Sequence, residues 1–454
     1  MGRSRIMNIK GYSQILFIAI FVSALLLNIR CKDEPTKPPP SPPDPIVSLA
    51  AEDASCTEVW LRLSVANATN PIITLTRDTT ILDTLILTTS DSTIVDEGLL
   101  PAHTYTYTAQ ILNTSYSSAP IQSRTMDTTS HNFSWQTFQL GDGSSGSSTL
   151  YDIAIINDTL AYAVGEIYRN DTTFNLAKWN GQNWELRTIP FSGTCSAVLY
   201  PPIKAIWAFS NADIIVTNGG SIVTYDGLSA IMDCRMNSLL TGAINKIFAT
   251  NTQNIYAIGN AGTIVHYNGS SWTKMESGTD IDLTDIYGSP DGSIVWACGF
   301  SYSQPLTVLL RQQKGVWDIA YDGNSNIETL QYETLSGAYT SLVAYDSRFV
   351  WVCSHYGMYR CPTGTQGEGR RYSFAARAFP GFPFRMRGNG SNDSFIVGEY
   401  GMIAHFNGMS WRDYTELRNN WRLTSIAHKG NLAVAVGWTY DSYGNKGMIL
   451  VGQR

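Results

Sequence analysis

One phrase recurs through the C-terminal two-thirds of the sequence: an apolar strand ending in Gly, a turn, a second apolar strand, then Asn-Gly and, after two more residues, Trp. It runs as Ile255-Tyr256-Ala257-Ile258-Gly259 to Asn268-Gly269-Ser270-Ser271-Trp272, as Ile396-Val397-Gly398 to Asn407-Gly408-Met409-Ser410-Trp411, and as Ala163-Val164-Gly165 to Asn180-Gly181-Gln182-Asn183-Trp184. The Gly that ends the first of these strands serves as a ruler. It falls at Gly165, Gly219, Gly259, Gly299, Gly398 and Gly437, and Ser354 takes its place in a further copy after Trp351-Val352-Cys353. Most intervals are about 40 residues, the length of a four-stranded unit in a repeating β array. Two longer ones hold insertions around residues 195–202 and 321–338. Such units bury their apolar faces only against one another, and closing the array removes its exposed edges. The expected fold is all-β, with a seven-bladed β-propeller over residues 132–454.

The last copy is short of a strand. It has residues 432–437 and 447–451, but no Trp strand precedes the final Arg454. A matching segment, Asn132-Phe133-Ser134-Trp135-Gln136-Thr137-Phe138, lies ahead of the first copy. The ring is therefore expected to close by strand 132–140 pairing into the last blade. The repeated Asn-Gly supplies the positive φ of a tight hairpin, and the Trp packs between blades, so neither reads as a ligand.

The N-terminus reads as an address. Arg3, Arg5 and Lys10 precede an apolar run over residues 15–27, short of the roughly 20 residues that span a bilayer. Cys31-Lys32-Asp33-Glu34 follows, then a Pro-rich tether that extends to residue 45 and is expected to be extended chain. This resembles a bacterial lipoprotein signal over residues 1–30, with Cys31 as the lipidated residue. Asn28-Ile29-Arg30 departs from the small residues usual there. Lys32-Asp33-Glu34 resembles the surface-export signal of Bacteroidota lipoproteins. The resemblance implies a lipid-anchored protein of the outer membrane that faces the exterior.

Residues 46–128 are rich in Thr, Val, Ile and Leu without helical periodicity. Leu99-Leu100-Pro101-Ala102-His103-Thr104-Tyr105 resembles the corner of a fibronectin type III domain, where a Tyr hydroxyl ties down the turn between strands. The resemblance implies a β-sandwich acting as a spacer, with Tyr105 at the corner and Trp60 in the core.

Net charge is −6, aromatic residues make up 11%, and no basic stripe appears, so nucleic acid is not an expected partner. Cys298 and Cys353 stand where other copies have Val or Ile, and read as buried thiols. Cys195 and Cys234, in irregular loops of adjacent blades, form a candidate disulfide. Cys361 lies across a hairpin from Cys353, where a disulfide is often strained, and Cys56 has no evident partner. No Cys or His spacing marks a metal, and no cofactor is expected.

The propeller resembles the sialidase-like Asp-box group, with the box reduced to Asn-Gly-x-x-Trp. That family uses an arginine triad, and only Arg385 and Arg387 are suggestive here. No catalytic residue is identified, and the balance leans away from an enzyme. His266 and His405 occupy equivalent positions, as do Asp152 and Asp285, and all four are expected to be structural, the aspartates through capping or turn bonds. One constellation stands out. The loops between second and third strands carry Tyr168, Phe300, Tyr302, His355, Tyr356, Tyr400, Trp438 and Tyr440. They form a candidate face for a polysaccharide or a protein. The reading is a monomeric surface lipoprotein that binds such a partner. A secreted glycan-cleaving enzyme of sialidase-like type and a scaffold in an envelope complex are the alternatives.

Overall fold

The computed structural model describes residues 42–454 apart from 194–195, 290–291, 302, 304–305, 325–334, 336, 346–348, 364–369 and 373–378. The expected signal, Cys31 and most of the expected tether lie outside the described residues. The chain divides into two compact units between Asp127 and Thr128.

The first unit has two antiparallel sheets. One orders Ile46–Ala54, Glu58–Ala66 and Asp91–Glu97; the other orders Thr80–Ile86, Ile72–Arg77, Thr104–Ile111 and Ile121–Arg124. Alternation along Glu58–Ala66 sends Val59, Leu61, Leu63 and Val65 inward, where they join Ile73, Leu75, Tyr107 and Ala109 in one core. Trp60 is not part of that core. It alternates with Val59 and Leu61 and so lies half-buried on the opposite face. The Tyr105 hydroxyl accepts the Leu100 N–H at 2.9 Å, which ties the corner to the strand. Buried Asp96 accepts the Tyr107 hydroxyl at 2.8 Å and lies 2.9 Å from Arg77 Nη1, so its charge is matched.

Among the described residues the second unit holds seven four-stranded antiparallel sheets, plus a two-stranded hairpin of Phe191–Gly193 and Ser196–Leu199. Their first strands are Thr149–Asn157, Ala205–Ser210, Ile244–Asn251, Leu283–Gly288, Tyr339–Val343, Pro383–Gly390 and Trp421–Lys429, taken here as sheets 1 to 7. Each first strand contacts the first strand of the next sheet, and that of sheet 7 contacts that of sheet 1, so these strands surround a common axis. Sheets 1 to 6 are each continuous in sequence. Sheet 7 takes its fourth strand from the other end of the unit: Ser134–Leu140 pairs with Gly447–Gln453, with Trp135 opposite Gly452 and Phe138 opposite Ile449.

The ruler glycines have a steric cause. Each first strand of sheets 1 and 3 to 7 carries a register shift near its start, which pushes a carbonyl toward the second strand. A Cβ at Gly259 would lie 1.9 Å from the Ala243 carbonyl oxygen, and one at Gly437 would lie 1.8 Å from that of Arg422. Gly219 does not belong to this set. Pairing of Ile214 with Tyr225, and of Ile255 with Tyr267, aligns Asn218 with Gly259. Gly219 instead has φ +99°, and a Cβ there would meet the Ala243 Cβ and the Ile244 carbonyl oxygen at 3.6 Å, an ordinary contact distance. The Asn-Gly hairpins are likewise local. The Asn268 side-chain oxygen accepts the N–H groups of Ser270 and Ser271, Asn407 repeats the arrangement with Met409 and Ser410, and Gly269 and Gly408 follow at φ +91° and +92°.

The two kinds of glycine separate on substitution. Gly437→Ala should destabilise by about 3 kcal/mol or more, because the obstructing atom is backbone. Gly219→Ala should cost only the about 1–2 kcal/mol of a left-handed alanine. Denaturant unfolding of the two variants measures the difference.

Candidate functional site

Antiparallel pairing brings the start of each first strand beside the end of the second, so these segments share one end of the ring. Arg422 pairs directly with Trp438, and Pro383 with Gly398. The predicted aromatic residues at this end fall into three groups. Tyr168 folds back: its hydroxyl donates to Glu166 at 2.5 Å, and its ring covers Gly146. Phe300, which is buried, and His355 both meet Phe382, at 5.8 and 6.0 Å between centroids, and His355 also contacts Tyr356 at 3.9 Å. Tyr400 and Tyr440 stand out at 59% and 42% exposure. Trp438 is half-buried, and the Arg422 guanidinium lies between it and Phe384, 5.4 and 4.2 Å from the two rings. Tyr302 lies outside the described residues. Phe382, Phe384 and Arg422 were not in the predicted set. They belong to first strands or the loops before them, and the strand pairing could have pointed to them.

Along the axis, equivalent positions of the first strands hold Asp152, Ala205, Lys246, Asp285, Ser341, Arg385 and Ser425, as their pairing with second-strand residues shows. The Lys246 ammonium lies 2.6 Å from both oxygens of Asp152. Asp152 also accepts the Ile206 N–H of sheet 2 at 3.0 Å and the Ser425 hydroxyl of sheet 7 at 2.7 Å. Asp285 accepts the Leu342 N–H of sheet 5 at 3.1 Å and the Ser341 hydroxyl. It faces Arg385 at 2.5 Å, and Arg387 meets it in fork geometry at 2.7 and 2.8 Å. The two aspartates therefore do more than cap turns: they tie neighbouring sheets together. Burial alone would raise the Asp152 carboxyl, yet Lys246 and Arg385 hold it below its ordinary value. Burial pushes Lys246 down to about 8 against the pull of Asp152. Arg385 and Arg387 are both engaged by one carboxylate, which leaves neither as part of a free arginine triad.

A third cluster lies at the seam. Asp393 accepts from His405 Nε2 at 2.9 Å, from Arg454 at 2.6 Å and from Asn389 at 2.8 Å. With the His405 proton on Nε2, its Nδ1 accepts from His131 Nδ1 at 2.8 Å. His266 repeats the bond in sheet 3, to Asn254 at 2.7 Å, so the equivalent histidines serve the sheets. Burial lowers His131 and His428 to about 4, and lowers His405 as well. Burial would raise Asp393, but the His405 and Arg454 hydrogen bonds hold it low.

Cys234 is disulfide-bonded, whereas Cys56, Cys298, Cys353 and Cys361 are not in disulfides. Cys195 lies outside the described residues. Cys298 and Cys353 are fully buried beside Asp285 and Ser341, and burial pushes the Cys353 thiol up to about 12. Among the described residues no group of three His, Cys, Asp or Glu could hold a metal ion.

No family model matches the chain. No curated protein matches it either. Solved structures do. "YCF48 bound to D1 peptide" aligns at 16% identity over 72% of this chain and 97% of that one, with TM-score 0.52. YCF48 from Cyanidioschyzon merolae aligns at 12% over 70% and 98%, with TM-score 0.49. The Cps50 (Swd1) β-propeller domain of Myceliophteria thermophila aligns at 11% over 70% and 98%, with TM-score 0.46. The fold is a β-propeller.

The seam histidines set a pH dependence. They are neutral in the fold and have depressed pKa values, against about 6.5 when unfolded. As pH falls from about 6.5 toward 4, the unfolded chain takes up protons that the fold refuses, so stability must fall. Asp393 adds a loss only at lower pH, as its carboxyl titrates. Thermal unfolding should show a falling Tm over this window, and the double variant His131→Gln, His428→Gln should flatten it.

Proposed function

We propose that the propeller is a binding module that takes a protein segment on the face where its first strands begin. The observation that carries this is the Phe384–Arg422–Trp438 array on a face that also exposes Tyr400 and Tyr440. A guanidinium held between two rings is preorganised, and rigid aromatic and arginine side chains dominate protein contacts. A fold neighbour, YCF48, was solved with a peptide, which fits a protein partner better than a polysaccharide. The glycan-cleaving alternative has no comparable support, because the only suggestive arginines are paired with Asp285. A scaffold role in an envelope complex remains an extension of the same binding.

Around this module we assign seven blades, one for each four-stranded sheet, and a fibronectin type III-like spacer. The strand orders and the Tyr105 bond support the spacer. We pair Cys234 with Cys195, since the other described cysteines are not in disulfides. The anchor is a lipid on Cys31 at the exterior face of the outer membrane, and the module is a monomer.

A peptide array of envelope and secreted proteins, run beside a glycan array with the full chain, tests the binding. Bound peptides should lose about tenfold or more in affinity with Trp438→Ala or Arg422→Ala. Ile231→Ser, at an exposed outer-strand position, should change nothing. Peptide binding that survives both changes, or binding to glycans alone, would sink the reading. For the anchor, Cys31→Ser should abolish palmitate incorporation and release the protein from membranes; unchanged labelling overturns it.

A further inference from the structure

A cavity of about 380 Å³ opens within the ring, walled by the later halves of the first strands and so at the end away from the aromatic face. Its wall includes Trp207, Lys246, Tyr287, Arg387 and His428. Three features of this wall converge.

The first is charge. The axial cluster holds two carboxylates, Asp152 and Asp285, at 2% and 0% side-chain exposure. It holds three cations, Lys246, Arg385 and Arg387, at 5%, 12% and 11%. One positive charge is therefore in excess in a site largely removed from water, where an unmatched charge is costly. Lys246 and Arg387, one cation from each half of the cluster, reach the cavity.

The second is hydrogen bonding. Asn389 has a settled orientation, because its amide nitrogen donates to Asp393 and to the Gly430 carbonyl while its oxygen accepts the Gly430 N–H. The same nitrogen lies 3.2 Å from His428 Nε2, but both of its protons are already committed, so this contact does not set the His428 tautomer. His428 Nδ1 is buried with no hydrogen-bond partner among the described residues. Trp207 Nε1 is a buried donor without an acceptor there. Two wall residues thus carry buried ring nitrogens that lack partners.

The third is an apolar wall. Trp207 meets Tyr287 and Phe248 edge-on at 6.0 and 5.2 Å, Phe248 and Tyr287 are tilted at 5.4 Å, and the Arg387 guanidinium lies 5.0 Å from the Tyr287 ring. Ile153, Ile155 and Ile206 add aliphatic surface. The volume equals that of roughly a dozen waters, enough for a small organic molecule.

We propose that the axial cavity binds a small organic monoanion, its carboxylate set against Lys246 and Arg387 and its apolar body against Trp207 and Tyr287. One negative charge balances the excess. The site is separate from the aromatic face, so either can fail without the other.

Benzoate and hexanoate are the probes, with benzamide as the uncharged isostere of the first and inorganic phosphate as the competing anion. Titration calorimetry and thermal unfolding of the full chain should show saturable millimolar binding of at least one carboxylate, with a Tm rise of a few degrees. Benzamide should bind at least about tenfold more weakly. Arg387→Gln removes the excess charge while leaving Lys246–Asp152 and Arg385–Asp285 matched, and should abolish binding. Ala427→Phe, in the wall but outside the charge network, should block the cavity and keeps the test valid if the first variant does not fold. No saturable carboxylate binding, equal binding of benzamide, preferential binding of phosphate, or binding unaffected by Ala427→Phe would each overturn the proposal.

Discussion

The pairing of Ser134–Leu140 with Gly447–Gln453 joins the two ends of the propeller through seven antiparallel residue pairs. Without it, Gly447–Gln453 would offer an unpaired edge at a strand whose residues 447–452 are apolar and buried. The seam is reinforced from both sides. Phe133 and Trp135 pack on Phe395, and the terminal Arg454 bonds Asp393 and the Ser130 carbonyl. The first and last sheets also meet directly, through the Ser425 bond to Asp152. A closed array of this kind responds as one cooperative body, because loosening one interface frees two neighbours.

Closure also creates the axis. Seven first strands can meet around one line only when each sheet is held at both sides, and the residues at that line must then satisfy one another. Asp152 and Asp285 do so through N–H groups of the following sheet, which makes them fasteners between sheets as much as ion-pair partners. The excess of cations over carboxylates at this line gives the cavity its chemistry. The opposite end of the same strands carries the Phe384–Arg422–Trp438 array. One ring therefore presents two chemically different ends, a preorganised aromatic-cation surface and a cationic hollow.

Some features are legible in the order of residues because they are local. Asn-Gly sets a left-handed Gly within one hairpin, whatever surrounds it. Gly259 and Gly437 answer a bulge on the adjacent strand, so they recur at the spacing of the sheets, and an all-β array could be inferred from that spacing. Gly219 shows the limit of such a ruler. A glycine one residue off the repeat looks the same in sequence but serves a turn. Trp60 shows another, since size and apolarity argue for a core position and the parity of its strand decides otherwise.

The sequence by itself determined the repeat, the turns and the strand that the last copy lacks, all of which rest on short-range backbone preferences and on a phrase copied at regular spacing. Only the tertiary structure decided which charges meet. Lys246 lies 94 residues from Asp152, Arg387 lies 102 from Asp285, and Ser425 lies 273 from Asp152. No local pattern links such positions, because their partners are set by where closure of the ring places the first strands. For the same reason Tyr168 turned inward while Arg422, unremarked in the sequence, came to lie between two aromatic rings.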